Sequence, residues 1–240
     1  MDKPKITTIV VIICIIILGL YAAGEINYYS SKIAIEKNID SPVVNIPTIG
    51  IEEKINNVSL SQGVMHDAKS FTPTNGDVIL SGHRTLQGSP FLRLNELNNG
   101  DVITLEWPGI GEVNYTVINK TIVEPTARIN TQSNGTHIYL ITCDPIGSTA
   151  HRLIIDGELS DVGPINDKII QNNPHESYAL IITTAFLVIG SIFSYFYPKD
   201  NRIYILAIVL IISAILFYFY LFPIDSNIIY EKILWLNGGM

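Results

Sequence analysis

The sequence has little cysteine and little positive charge. Its 240 residues include two cysteines, and 15 basic side chains stand against 22 acidic ones, which gives a net charge of −7. An acidic chain lacks the basic surface that binds phosphates, and this excludes nucleic acid as a partner. Cys14 lies within a hydrophobic run and Cys143 within a polar segment, so no disulfide forms inside that segment. Cys143 is therefore either a buried apolar side chain or a reactive thiol.

Long hydrophobic runs are present instead. Hydrophobic residues make up 48% of the chain, and its mean hydropathy is +0.32. There are three such runs: one within residues 1–24, one at residues 178–197 and one at residues 203–222. As a helix, each is long enough to cross a hydrocarbon core of about 30 Å. Ala22 and Gly24 are small enough for a signal-peptide cleavage site, but the apolar stretch is longer than the hydrophobic region of a signal peptide. We therefore predict an uncleaved anchor and two further transmembrane helices.

Basic residues set the predicted orientation. Two lysines precede the first run, and the turn PKDNR between the last two runs carries a lysine and an arginine. The positive-inside rule places both sites in the cytoplasm. We therefore predict a multi-pass protein of the cell membrane. Its stalk (residues 25–40), its polar domain (residues 41–165) and its C-terminal tail (residues 223–240) lie on the extracytoplasmic side.

The outer domain has the pattern of a small β protein. Asp101–Trp107 alternates, which places Ile103, Leu105 and Trp107 on one face of a strand. In residues 112–125, Val113, Tyr115 and Val117 are likewise predicted to share one face of a strand. The other predicted strands are Val43–Ile51, Asp77–Arg84 and residues 136–144 and 151–159. Because the first of these contains a proline and a glycine, it is predicted to be an edge strand.

One short helix is predicted between these strands. Ser89–Leu97 has helical spacing at Phe91, Leu94 and Leu97, with Ser89 as the N-cap and Pro90 at the first helical position. Short strands with one or two short helices predict a small β-barrel or sandwich.

The candidate chemistry centres on Cys143. It ends a predicted strand before the loop DPIGSTA, and Arg152 opens the next strand. If these strands pair, the thiol and the guanidinium approach each other across strands about 4.8 Å apart. A neighbouring cation favours the thiolate and lowers the thiol pKa from its reference of about 8.5. His83 follows Gly82 at the end of another predicted strand and is a candidate partner.

The residues alone leave alternatives open. A lone cysteine at a strand end is often structural, and an arginine that opens a strand is often a solvated charge. Four other histidines compete with His83: His66, His137, His151 and His175. His151 is adjacent to Arg152, but neighbours on a strand point to opposite faces.

Three blocks of the outer domain resemble the sortase family, in order and at the family's spacing. They are IPTIGI, LSGHRT followed by GSPFLRLNELNNGDVI, and YLITCDPIGSTAHRLII, and the resemblance covers residues 43–159. It implies an all-β fold, the eight-stranded sortase β-barrel with one or two short helices, here combined with one N-terminal and two C-terminal transmembrane helices. It also implies that Cys143 is the nucleophile, His83 the general acid and base, and Arg152 the residue that stabilises the oxyanion or the substrate.

The resemblance further implies a substrate-binding role for Thr142, next to the nucleophile. Tyr139 departs from the family pattern Thr-Leu-x-Thr-Cys at its first position, which leaves the substrate pocket undefined. The sequence also lacks the Asp-Pro-aromatic lid motif of many pilin-polymerising members, although its C-terminal hydrophobic segments resemble that class. The subclass, with features of classes C, D and E, therefore stays open.

The function implied by the resemblance is transpeptidation. The thiol attacks an LPxTG-like C-terminal sorting signal of an exported protein, a thioacyl enzyme forms, and an amine of the cell envelope or of a pilin accepts the acyl group. The predicted partners are therefore exported proteins, an amine acceptor and the lipid bilayer. No cofactor is predicted, and Glu52, Glu53 and Glu112 are too scattered to predict a metal site. Hydrolysis alone and a non-catalytic binding domain are the alternatives.

Overall fold

The computed structural model describes residues 6–36, 41–85, 87–172 and 175–224. The chain divides into two compact units. The first contains the described residues of 6–34 and 175–224, and the second those of 35–172. Each unit is treated by itself below.

The second unit is a closed barrel of eight strands. They are β1 (Val43–Ile46), β2 (Ile51–Asn56), β3 (Val64–His66), β4 (Val78–Ser81), β5 (Val102–Trp107), β6 (Gly111–Val123), β7 (His137–Asp144) and β8 (His151–Gly163). The order around the barrel is β1-β2-β3-β4-β7-β8-β6-β5, and β5 pairs with β1 to close it. The predicted eight-stranded β-barrel is thus confirmed.

Alternating side chains fill the barrel. Ile103 and Leu105 on β5, and Val113, Tyr115 and Val117 on β6, are at most 1% exposed. These inward positions were predicted from the period of two residues that places alternate side chains on one face of a strand. Trp107 packs against the same core.

The predicted single strand Val43–Ile51 is wrong. The chain forms β1, then a 3₁₀ helix at Pro47–Ile49, and then β2, which pairs antiparallel with β1. Pro47 has no backbone N–H for a sheet ladder, and Gly50 has a φ of +68°, which a glycine adopts readily. Neither strand is an edge, because the barrel is closed.

The helix predicted at Ser89–Leu97 is also wrong in extent. Only Leu94–Glu96 is helical, as a 3₁₀ turn, and Ser89 has a φ of +46°, which is incompatible with an N-cap. The three apolar residues on which the helix prediction was based, Phe91, Leu94 and Leu97, are nevertheless fully buried in the barrel core. Three apolar anchors hold this segment without a regular helix. A short α-helix, α2 (Asp167–Gln171), follows β8.

The first unit consists of three long apolar helices. They are α1 (Ile6–Glu36), α3 (Tyr178–Phe196) and α4 (Arg202–Leu221), and each is long and apolar enough to cross a membrane. The polar residues 25–36, predicted as the start of a stalk, continue α1. Residues 1–5, the last four stalk residues (37–40) and most of the predicted tail (225–240) lie outside the described residues.

Small side chains bring the three helices close together. A Cβ on Gly19 of α1 would lie 2.7 Å from Ile212 of α4, and one on Gly190 of α3 would lie 2.6 Å from Val209. Asn27 exchanges two hydrogen bonds with the backbone of Ile224, at 2.9 and 2.8 Å. Close contact between helices and satisfied polar groups are what a hydrocarbon environment demands.

Candidate active site

Strand pairing brings the three predicted catalytic residues together. Cys143 on β7 lies directly opposite Arg152 on β8. On its other side β7 pairs in parallel with β4, where Ser81 matches Ile141. Continuing that register by two residues places His83 level with Cys143. By this register, Cys143 lies between Arg152 on β8 and the segment just after β4 that carries His83, and neighbouring strands are about 4.8 Å apart.

Hydrogen bonds extend the pairing of β4 and β7 beyond the last residue of β4. The backbone N–H of Gly82 donates to the carbonyl of Ile141 at 3.1 Å, and the Thr142 hydroxyl donates to the carbonyl of Gly82 at 2.8 Å. The carbonyl of His83 accepts from the backbone N–H of Phe91 at 3.1 Å. A Cβ at Gly82 would lie 2.7 Å from the Phe91 ring, so this approach requires glycine.

Thr142 is the residue for which substrate binding is predicted. Its side chain is 2% exposed and its hydroxyl is bonded inside the protein. Any contact of Thr142 with a substrate would therefore use its backbone. The side chain has a second effect, since it fixes the segment that carries His83.

The environment of His83 favours the neutral imidazole. Burial lowers the pKa of His83 to about 4, because the charged form loses hydration inside the protein. At neutral pH the ring is therefore uncharged and can accept a proton. A neutral imidazole beside a thiol can accept the thiol proton and later return it to a departing amine.

Arg152 is partly exposed. Its Nη1 donates to the carbonyls of Thr149 and His151, both at 3.0 Å. Within the described part of the chain, no acceptor binds its Nε or Nη2. The loop between β7 and β8 thus orients the guanidinium and leaves other donors for a substrate oxygen.

The four competing histidines lie elsewhere or face other partners. The His66 Nε2 lies 3.0 Å from the carbonyl oxygen of Phe71, and the His66 ring packs in a T-shaped arrangement with Trp107. His137 pairs with Asp156 at 2.8 Å, and this carboxylate raises the pKa of His137. His151 is one residue away from Arg152, opposite Asp144, and His175 belongs to the helical unit. The register aligns His83 alone with Cys143.

Sequence reasoning missed an ion pair beside the nucleophile. Arg84 is 5% exposed, and its Nη1 forms a salt bridge with Asp144 and donates to the carbonyl of Cys143 at 3.2 Å. The signal was present in the sequence. Arg84 directly follows His83, and Asp144 directly follows Cys143. If His83 and Cys143 are neighbours, the opposite charges of Arg84 and Asp144 are expected to be neighbours as well.

A groove of about 490 Å³ reaches the site at Arg152. Its floor is formed by Ile79, Ile141 and Ile154, and its walls by Asp67, Lys69 and residues 127–131. Ile79, Ile141 and Ile154 come from the neighbouring strands β4, β7 and β8. The outer face of the sheet that carries Cys143 is therefore apolar next to the thiol.

Asp77 anchors the loop that forms one wall of the groove. This loop, residues 124–136, joins β6 to β7. Asp77 is 3% exposed, and its carboxylate accepts hydrogen bonds from the backbone N–H of Gln132 at 2.9 Å and of His137 at 3.0 Å. One buried carboxylate therefore fixes the end of the wall.

Acidic residues do not converge on a metal site among the residues that the structure describes. No group of three or more His, Cys, Asp or Glu side chains is placed there to hold an ion. Buried Glu106 instead accepts the backbone N–H of Asn166 at 2.8 Å, after the end of β8.

Comparison with known families decides the identity of this fold. The family model of the sortase domain matches residues 33–160, which is more than half of the chain. The chain belongs to the sortase family. It is therefore a cysteine transpeptidase, and the predicted family and enzyme class are confirmed.

Solved sortase structures are similar to this sortase over about half of its length. A lid mutant of sortase A from Corynebacterium diphtheriae is 26% identical, with a TM-score of 0.47, covering 52% of this chain and 73% of that one. Sortase C-1 from Actinomyces oris is 28% identical, with a TM-score of 0.46 and coverages of 52% and 75%. Sortase C from Clostridium perfringens with the C-terminal cell wall sorting motif is 26% identical, with a TM-score of 0.46 and coverages of 50% and 70%. No curated protein matched.

Proposed function

We propose that this sortase is a membrane-anchored enzyme that cleaves an LPxTG-like sorting signal and transfers the exported protein to an amine. The observation that carries the proposal is the register that aligns His83, Cys143 and Arg152 on three adjacent chain segments. The acceptor is an amine of the cell envelope or of a pilin. The roles of these three residues are part of the proposal.

Acylation begins with transfer of the Cys143 thiol proton to the neutral ring of His83. The sulfur then attacks the carbonyl carbon of the scissile bond, and a C–S bond forms while the carbonyl π electrons move to oxygen. When the tetrahedral intermediate collapses, the C–N bond breaks. His83 gives its proton to the departing amine, and the thioacyl enzyme remains.

Deacylation reverses these steps with a different amine. The acceptor amine attacks the thioester carbonyl, His83 takes its proton, and the C–S bond breaks to release the Cys143 thiolate. Arg152 stabilises the negative oxygen in both tetrahedral intermediates. A hydrogen-bond donor of this kind contributes about 10²- to 10³-fold to the rate.

The groove supplies the place for the sorting signal. Its apolar floor lies beside Arg152 and beneath the loop that Asp77 anchors. An extended peptide with an apolar first half, such as Leu-Pro, would bury that half on the isoleucine floor. The scissile bond would then lie at the end of the groove, next to the thiol.

The helices supply the predicted location. Three helices are long and apolar enough to span a bilayer, one before the barrel and two after it. The positive-inside rule places their basic flanks in the cytoplasm and the barrel outside. An exported substrate held by its own hydrophobic tail would meet the thiol at that surface.

The test uses the full-length protein in detergent micelles, incubated with a pool of candidate sorting peptides and hydroxylamine. We expect a peptide hydroxamate, whose mass identifies the cleaved bond, and no product from a Cys143→Ala variant. Replacing hydroxylamine with an amine acceptor gives an amide product if the enzyme transfers, and a free acid if it only hydrolyses. Cleavage that persists in Cys143→Ala would refute the proposal.

A further inference from the structure

Arg84 is a buried arginine whose contacts contribute little to the stability of the fold. Its guanidinium is almost fully buried, and it bonds to Asp144, to the carbonyl of Cys143 and, at 2.7 Å from Nη2, to the side-chain oxygen of Asn95. Its buried Nε has no partner among the described residues. An ion pair buried in this way contributes little net stability compared with apolar side chains of the same volume.

The bonds of Arg84 reach both halves of the proposed catalytic pair. Arg84 directly follows His83 in the chain, so its own backbone is continuous with the base. Its Nη1 holds the carbonyl of Cys143 and the side chain of Asp144, so it holds the peptide that follows the nucleophile. One planar guanidinium therefore connects the segment of the base to the segment of the thiol.

A second layer of contacts holds the far side of the guanidinium. Asn95 lies in the 3₁₀ turn Leu94–Glu96, and its carbonyl accepts from Lys120 Nζ at 2.8 Å. The same ammonium donates to the carbonyl of Leu97 at 2.9 Å. The turn that binds Arg84 is thereby attached to β6. A side chain held from both sides is rigid, as a positioning role requires.

We propose that Arg84 is a positioning residue, which fixes the distance and orientation of His83 relative to Cys143 without touching the substrate. This inference rests on the proposed function, in which these two residues exchange a proton. A displacement of about 1 Å between reacting groups can lower a rate about 10²-fold. Loss of Arg84 should therefore lower kcat and leave KM nearly unchanged.

The test separates positioning from folding with a double variant. Arg84→Gln alone leaves the partly buried carboxylate of Asp144 without its ion-pair partner, so it is expected to lower the Tm. Arg84→Gln combined with Asp144→Asn removes both charges and should recover the Tm, but kcat should stay about 10- to 100-fold below that of the unmodified enzyme. Arg84→Lys keeps the charge without the planar fork and should give an intermediate kcat.

The matched control is Lys168, an exposed cation in α2 that lies outside the contacts of Arg84. Lys168→Gln should leave kcat unchanged. The inference is overturned if the Arg84 and Asp144 double variant regains kcat together with the Tm, because the pair would then be structural only. If the unmodified enzyme cleaves no peptide, the proposed function fails by itself, and the alkylation rate of Cys143, mapped apart from Cys14, replaces kcat as the readout.

Discussion

The two faces of strand β7 carry different tasks. Ile138, Leu140 and Thr142 point inward and are at most 2% exposed, whereas Ile141 and Cys143 point outward and are partly accessible. The inward face joins the barrel core, and the outward face carries the thiol and the groove floor. Alternation along one strand thus places the residues that stabilise the fold on one face and the proposed catalytic residue on the other. Inward substitutions should mainly lower stability, and outward substitutions should mainly lower activity.

The largest effect is expected on the outward face. Cys143→Ala removes the nucleophile and should abolish peptide cleavage, while the Tm stays within a few degrees because the side chain is small and partly accessible. Peptide turnover and thermal unfolding of the same preparation check both statements. Lost activity together with a large loss of Tm would contradict the separation of the two faces.

An inward substitution should have the opposite effect. Leu140→Ala opens a cavity in the core and should lower the free energy of unfolding by about 2 to 5 kcal/mol, as measured by urea denaturation. The matched control is Ile141→Ala, which should cost less than about 1 kcal/mol and raise KM, because Ile141 lines the groove. Equal losses of stability in the two variants would refute this assignment of the faces.

Arg152 tests the outward face next to Cys143. Arg152→Gln removes the cation opposite the thiol and should lower kcat by about 10²- to 10³-fold, with little change in Tm. Arg152→Lys retains the charge and should lose less. Steady-state kinetics are compared with those of the Lys168→Gln control. A kcat within about two-fold of the unmodified enzyme would exclude an oxyanion role for Arg152.

The pH dependence of stability tests whether His83, the residue aligned with the outward Cys143, is buried in its neutral form. Its pKa is about 4 in the folded protein and about 6.5 when unfolded, so unfolding takes up a proton between these values. Its contribution to stability is therefore complete above about pH 6.5 and falls by up to about 3 kcal/mol as the pH approaches 4. The difference in unfolding free energy between the unmodified protein and His83→Gln, measured across this range, should change accordingly. A constant difference would contradict the burial of His83.

Much of the barrel was predictable because period-two alternation is local. Ile103, Leu105 and Val113 followed from it, and the three catalytic candidates followed from short blocks at strand ends. The Ser89–Leu97 segment was not predictable in the same way. Its apolar spacing is helical, but burial of Phe91, Leu94 and Leu97 determines the backbone, and tertiary contacts override spacing in short segments.

Polar contacts around the site could not be predicted from the sequence either. Arg84 and Asp144 are distant in the chain, and they meet because β4 and β7 run parallel with a fixed register. Asp77 likewise reaches Gln132 and His137 across the sheet. Single-sequence patterns do not specify which strands are neighbours, so contacts of this kind require the topology.

The most direct measurement locates the acyl group on the enzyme. The full-length protein in micelles is mixed with a peptide that it cleaves, quenched in acid, and analysed by intact and peptide-mapped mass spectrometry. We expect a mass increase equal to the N-terminal fragment of the peptide, located on the segment with Cys143 and removed by hydroxylamine. An acyl group on another residue, or cleavage by Cys143→Ala, would contradict the assignment of Cys143 as the nucleophile.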